Sequence, residues 1–224
     1  MKKYIYILFV SVLCLASCDE ATNEYDPYEN WQARNATWFE DTVQLARQAI
    51  AKAKADYGED EWQDHCQWRM YKSLLKTSAS SGPVTDSICV RIISRGEDKD
   101  SKGSPSFTDS AYVNYRGWIM PVYNYNGNGS EMSMIQEMFD TSYYGEFNQE
   151  TAAPTLMSIK GLIEGFSTAL QYMVEGDDWM VFMPYTLAYG SQGSGKIRGY
   201  STLQFRMNMV KWFESGSGES GSWE

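Results

Sequence analysis

The sequence predicts an α+β protein: a curved antiparallel β-sheet wrapped on a short α-helix, with an amphipathic helical extension before it. Three observations carry that expectation. Leu203, Phe205, Met207 and Met209 alternate with Gln204, Arg206 and Asn208, the period of a strand with one face on a core. Phe166, Leu170 and Met173 fall at i, i+4 and i+7, one face of a short helix. Phe39, Val43, Ala46, Ile50 and Ala53 recur at helical spacing nearer the N-terminus, forming a stripe that needs a partner surface.

Read from the N-terminus, Lys2 and Lys3 precede an apolar run from Tyr4 to Leu15. This is the charged-then-apolar order of a secretory signal, and it is shorter than the roughly 20 residues that a spanning helix needs. It closes on Leu15-Ala16-Ser17-Cys18, which resembles the lipobox of bacterial lipoproteins, here of Bacteroides-like form. That resemblance implies cleavage before Cys18, lipid on its thiol, and a protein anchored to a membrane outside the cytoplasm, on the periplasmic face or the cell surface. Residues 1–17 form the expected signal peptide and 18–30 a lipidated tether. Losing two lysines and no carboxylate moves the formal charge from −10 to −12. Such a chain has no basic footprint for nucleic acid.

The helical extension is assigned to 31–64. Asp26-Pro27 supplies an N-cap and a first-turn proline. Trp31, Trp38 and Leu45 widen the apolar stripe, and Tyr57-Gly58 ends it. The stripe is expected to pack on its own domain rather than to serve as a dimerisation or client-gripping arm. Residues 65–213 form the main domain. Strands are expected over 67–75, 87–94 and 109–117, the first two parted by a turn at Ser80-Ser81-Gly82-Pro83, with a charged, Gly/Ser-rich loop at 97–106 before the third. A further strand is expected over Met180–Met183, fully buried. The segment Trp118–Met138 contains Asn126-Gly127-Asn128-Gly129, a hairpin turn signal, with Met132, Met134 and Met138 after it. It reads equally as a client-binding flap and as a cover for the sheet edge. Residues 214–224 are rich in Gly, Ser and Glu and form an expected flexible tail.

Composition excludes several chemistries. Cys14 leaves with the signal and Cys18 carries lipid, so Cys66 and Cys89 remain, in apolar contexts that favour buried free thiols over a bridge. His65 is the single histidine, and a zinc site or a Ser-His-Asp triad needs company that it lacks. No metal or cofactor is expected. Aromatic residues are instead plentiful: 8 Trp, 16 Tyr and 9 Phe.

Four segments then stand in one order: Val113-Asn114-Tyr115-Arg116-Gly117, Phe139-Asp140-Thr141-Ser142, Ile159-Lys160-Gly161-Leu162-Ile163-Glu164-Gly165-Phe166, and Met183-Pro184 through Leu187-Ala188-Tyr189-Gly190 to Ser201-Thr202-Leu203-Gln204-Phe205. Together they resemble the FKBP-type (macrolide-binding) peptidyl-prolyl cis-trans isomerases. The resemblance implies an FKBP-like fold and one apolar pocket lined by Tyr115, Phe139, Leu162, Ile163, Phe166 and Phe205. It implies that Tyr189 donates its hydroxyl to a substrate carbonyl, that Asp140 shapes the polar wall, and that Ile197 overhangs the site. Phe166 stands where the family usually has Trp, Pro154-Thr155 lacks the usual aromatic wall, and Ile197-Arg198-Gly199 replaces an Ile-Pro-Pro rim.

The implied function is isomerisation of X-Pro bonds in proline-containing polypeptide clients, with catalytic roles for Tyr189, Asp140 and Phe166. A macrolide-type ligand is implied as a further occupant of the pocket. The alternatives are a non-catalytic peptide- or protein-binding lipoprotein on the same fold, and a structural component of a surface complex.

Overall fold

The computed structural model describes residues 26–76, 84–97, 102–125 and 132–217. The expected signal peptide, Cys18, the turn at 80–83, the Asn-Gly turn and the last seven residues lie outside them. The elements are α1 (Trp31–His65), β1 (Trp68–Lys72), β2 (Ser87–Ser94), β3 (Ser110–Ile119), β4 (Val122–Tyr125), β5 (Met132–Ile135), β6 (Met138–Thr141), β7 (Thr155–Ser158), α2 (Glu164–Leu170), β8 (Asp178–Met183) and β9 (Leu203–Phe213). Seven strands form one sheet in the order β1-β2-β8-β9-β3-β6, with β7 also on β3. All its pairings are antiparallel. This is the expected antiparallel sheet with a short helix.

The two faces of the sheet are sorted by the strand period. On the inner face Ile88, Val90 and Ile92 of β2, Val181 and Met183 of β8, and Leu203, Phe205, Met207 and Met209 of β9 join Phe166, Ala169, Leu170 and Met173 in one buried cluster. Helix α2 comes this close because Gly165 has no side chain. A Cβ there would lie 2.7 Å from the Met183 sulfur and 2.9 Å from its Cβ. Met173 is buried just past the helix, in a turn whose N–H groups still reach the carbonyls of Ala169 and Leu170.

On the outer face α1 lays Phe39, Val43 and Ala46 against Cys89, with Trp68, Met70 and Phe182 around them. The helix thus packs on its own sheet. Cys66 and Cys89 are free and buried, and burial pushes the Cys89 thiol up to about 12. The rest of the outer face carries a paired Arg206–Asp178 (Nη2 to Oδ2, 2.7 Å), with Phe147 beneath the guanidinium.

Several boundaries differ from expectation. Asp26 does not cap α1: its carboxylate accepts the N–H of Tyr28 (2.8 Å) in a separate turn. Asn30 then takes a left-handed conformation (φ 54°), which Asn tolerates better than most residues, and the helix starts at Trp31. That break aims the Trp31 indole into the core, where its Nε1–H donates to Ser201 Oγ (3.1 Å). Gly58 interrupts the helix (φ 81°, ψ 176°) without ending it. A last segment runs to His65, and its Gln63 carbonyl accepts from Arg69 and Arg95. Leu45 is 59% exposed and so lies off the buried stripe, which runs through Phe39, Thr42, Val43 and Ala46.

After Lys72 the Ser73 N–H still bonds the Asp86 carbonyl, while its hydroxyl donates to Glu164. The start of the expected tail is held: the Ser215 N–H donates to Asp109 (2.9 Å). The segment after β3 forms a separate two-stranded hairpin, β4–β5.

Phe39→Ala opens a void between α1 and the sheet and is expected to cost about 3–5 kcal/mol in urea unfolding. Leu45→Ala is expected to stay within about 0.5 kcal/mol.

Candidate functional site: an aromatic cavity on the inner face

Sequence order alone does not bring Tyr115, Phe139, Phe166 and Phe205 together; the strand register does. Gly117 of β3 lies opposite Phe205 of β9 on one side and Asp140 of β6 on the other. A Cβ on Gly117 would meet the Phe205 ring at 2.5 Å and the Phe139 ring at 2.7 Å. Glycine is therefore what lets the two rings close over β3. Phe205 then packs edge-on against Phe139 (centroids 5.4 Å) and Phe166 (5.2 Å), and Phe166 against Tyr115 (5.7 Å). These T-shaped contacts set positive ring edges on negative faces.

The rings wall a cavity of about 230 Å³, lined by Tyr115, Phe139, Asp140, Met157, Gly161, Leu162, Ile163, Phe166, Tyr189 and Phe205. Eight of the nine pocket residues expected from sequence meet here. Ile197 does not. It is 7% exposed and joins the hydrophobic core. The Ser194 and Ile197 backbones bond each other in both directions, which closes the loop, while Arg198 is drawn over the Tyr28 ring (3.9 Å).

Met157 is a wall residue that the sequence reading missed. Thr155 is exposed, so the wall lost at Pro154-Thr155 is supplied two residues later by β7, where Met157 lies opposite Ala111.

Two tyrosines and one carboxylate make the polar side. The Tyr115 hydroxyl donates to Asp140 Oδ2 (3.0 Å), and Asp140 Oδ1 accepts the Thr141 N–H (2.9 Å). Ser142 locks this corner from behind: its hydroxyl accepts the Tyr115 N–H (2.8 Å) and its N–H donates to the Tyr115 carbonyl (2.9 Å). Burial, and then the hydrogen bond to Asp140, push the Tyr115 phenol up to about 12. Burial, with the charge of Asp140 added, raises Tyr189 as well. Both phenols therefore stay protonated donors at neutral pH. Tyr115 spends its proton on Asp140. Among the described residues the Tyr189 hydroxyl has no protein partner, so it is free to donate to a ligand carbonyl.

A raised phenol pKa disfavours the phenolate in the fold. Its contribution to stability is complete below pH 10 and is lost as pH rises through about 12. Comparison of phenolate absorbance in the wild type and Tyr115→Phe should assign to Tyr115 a step near pH 12. Asp140→Asn should move that step down towards 10.

Residues 102–210 match the profile of the family described as FKBP-type peptidyl-prolyl cis-trans isomerase. The macrophage infectivity potentiator of Trypanosoma cruzi is 33% identical over 103 residues, 42% of this chain and 53% of that protein. The peptidyl-prolyl cis-trans isomerase Mip of Coxiella burnetii is 26% identical over 143 residues, 63% of this chain and 52% of that one. The outer membrane protein MIP of Legionella longbeachae is 23% identical over 162 residues, 72% and 59% respectively. The chain spans about half the length of the curated relatives it matches. With the sheet, the short helix and the aromatic cavity in place, residues 102–210 of this chain are similar to the FKBP-type peptidyl-prolyl cis-trans isomerase family, whose profile they match.

Proposed function

We propose that the chain is a peptidyl-prolyl cis-trans isomerase that takes X-Pro segments of polypeptides into the aromatic cavity. The observation that carries this reading is a ring-walled cavity with one uncommitted phenol donor, that of Tyr189. Amide resonance sets a barrier of about 18–20 kcal/mol to rotation. As the C–N bond twists, the amide loses charge separation, so a dry apolar wall favours the twisted state over the planar one. Phe166, Phe205, Phe139 and Leu162 grip the pyrrolidine ring, and Tyr189 holds the carbonyl of the preceding residue. Asp140 holds Tyr115 in place. This chemistry needs no nucleophile. A macrolide-type ligand presenting a carbonyl and an apolar ring would use the same groups.

The reading extends to location. The Lys2-Lys3 and apolar N-terminus, closing on Leu15-Ala16-Ser17-Cys18, supports export and lipidation at Cys18, and a match to a protein named for the outer membrane is consistent with it. The role is then assistance to folding of proteins outside the cytoplasm. A second reading, a binding module that grips X-Pro segments without turning them over, is favoured by the departures from the family pattern at Phe166 and Ile197-Arg198-Gly199.

Exchange between cis and trans X-Pro peptides, followed by NMR, separates the two. The wild type should accelerate exchange, and Tyr189→Phe should lower kcat/KM by about tenfold, the equivalent of one lost hydrogen bond of about 1.4 kcal/mol. Binding of the peptide with unchanged exchange rates would leave the binding module. Growth of a bacterial host with labelled palmitate should label the expressed chain, and Cys18→Ala should abolish the label. Label retained in that variant would remove the anchor from the proposal.

A further inference from the structure

Tyr189 lines the cavity, and with no protein partner on its hydroxyl among the described residues its place is set from the backbone side. That backbone is latched by the loop that follows it. The Tyr189 carbonyl accepts the Gly193 N–H (3.1 Å), and the Gly190 carbonyl accepts the Tyr200 N–H (2.9 Å) where the loop returns. Tyr200 stands in the left-handed region (φ 63°). That is an uncommon place for an aromatic residue, and one that persists only where surrounding contacts impose it.

Those contacts come from the start of α1. Ser201, next to Tyr200, accepts the Trp31 Nε1–H (3.1 Å) and donates to the Arg198 carbonyl (2.7 Å). Asn35, one helical turn on, accepts the Thr202 N–H through its side chain (2.8 Å) and the Thr202 hydroxyl through its carbonyl (3.2 Å). Trp31, Asn35, Ser201 and Thr202 are all buried. Among the described residues, Asn30 and Tyr200 are the two non-glycine residues with positive φ, and they immediately precede Trp31 and Ser201. The chain is thus bent out of its ordinary conformation on both sides of one hydrogen bond. Tyr28 extends the contact to a second wall. The Arg198 guanidinium lies over its ring (3.9 Å), and its hydroxyl donates to Glu137 (3.1 Å). Glu137 leads directly into β6, which carries Phe139 and Asp140. Tyr28 and Trp31 pack edge-on (centroids 5.3 Å), so one aromatic pair touches both the loop behind Tyr189 and the start of β6.

We infer that Tyr28 and Trp31 are positioning residues for the isomerase: they hold the 190–200 loop in the arrangement that keeps the Tyr189 hydroxyl aimed into the cavity. This deepens the proposed function and rests on it. Both residues lie outside the stretch that matches the family, so the working site reaches back to the segment that leads into α1. Removing the Trp31 N–H lets Tyr200 leave its left-handed conformation, which loosens the loop while the sheet stays sealed.

The test uses the full chain and Trp31→Phe, which keeps an aromatic ring and removes the N–H. Amide hydrogen exchange, followed by NMR, compares Gly193 and Tyr200 in the loop with Met209, whose N–H sits on the Asp177 carbonyl (3.0 Å). Exchange at Gly193 and Tyr200 should rise about 3- to 10-fold more than at Met209, the range of one lost hydrogen bond. kcat/KM for an X-Pro peptide should fall as well, by no more than the roughly tenfold loss of Tyr189→Phe. In a Tyr189→Phe background, Trp31→Phe should leave kcat/KM nearly unchanged, because the group that it positions is already gone. A merely structural role would lower kcat/KM equally in both backgrounds. Tyr28→Leu, at a half-buried position, should show the same pattern and carries the test if Trp31→Phe does not fold. Loop amides whose exchange rises no more than that of Met209, an unchanged kcat/KM, or an equal loss in both backgrounds overturns the positioning role and leaves the isomerase intact. No acceleration by the wild type overturns the isomerase reading and this inference with it.

Discussion

The inner face depends on how near two phenylalanine rings can come to the backbone of one residue. Phe205 and Phe139 both lie over Gly117, at distances that any side chain there would forbid. Because they close over it, Phe205 can touch Phe139 and Phe166 at once, and Phe166 can turn its edge to Tyr115. A methyl group at Gly117 would push the rings apart and open the cavity to water. In the isomerase proposed above, the benefit of a low-dielectric wall for a twisting amide would fall with it. Gly165 plays the matching part beneath, letting α2 sit on Met183 so that Phe166 reaches the cavity floor. The cavity is therefore a product of two missing side chains as much as of the rings that fill the space.

The polar corner follows the same logic of constrained approach. Ser142 fixes the Tyr115 backbone, Tyr115 fixes Asp140, and burial, with Asp140 added, raises the proton affinity of both neighbouring phenols. One phenol is committed and one is not. That division of labour turns an aromatic pocket into a site with a direction, since of the two phenols Tyr115 donates to Asp140 and Tyr189 has no partner among the described residues.

Much of this was legible because the elements concerned have unequal faces. β2 was expected at 87–94 and is found there; Ile88, Val90 and Ile92 face α2 while Cys89 faces α1. β9 was legible for the same reason. What failed were decisions taken by tertiary structure. Asp26-Pro27 is a sound helix start locally, but seating the Trp31 indole on Ser201 required a break at Asn30. Leu45 is apolar but lies on the solvent side of a helix whose buried line is completed by Thr42 and Asn35; Asn35 accepts the Thr202 N–H through its side chain. Met157 was hidden because its four-residue strand has two adjacent apolar residues and no alternation to say which one faces inwards.

The stretch that matches the family, residues 102–210, leaves out β1 and β2, yet β2 sits between β1 and β8 inside the sheet. Cut to the matched stretch, the chain would bare the whole flank of β8 and strip α2 of Ile88, Val90 and Ile92. An uncovered strand flank of that kind is a template for pairing with other chains. The stretch that matches the family is thus smaller than the sheet it belongs to. Anyone grafting or shuffling this domain should take the seam from α1, where the outer face is sealed, and not from the border of similarity.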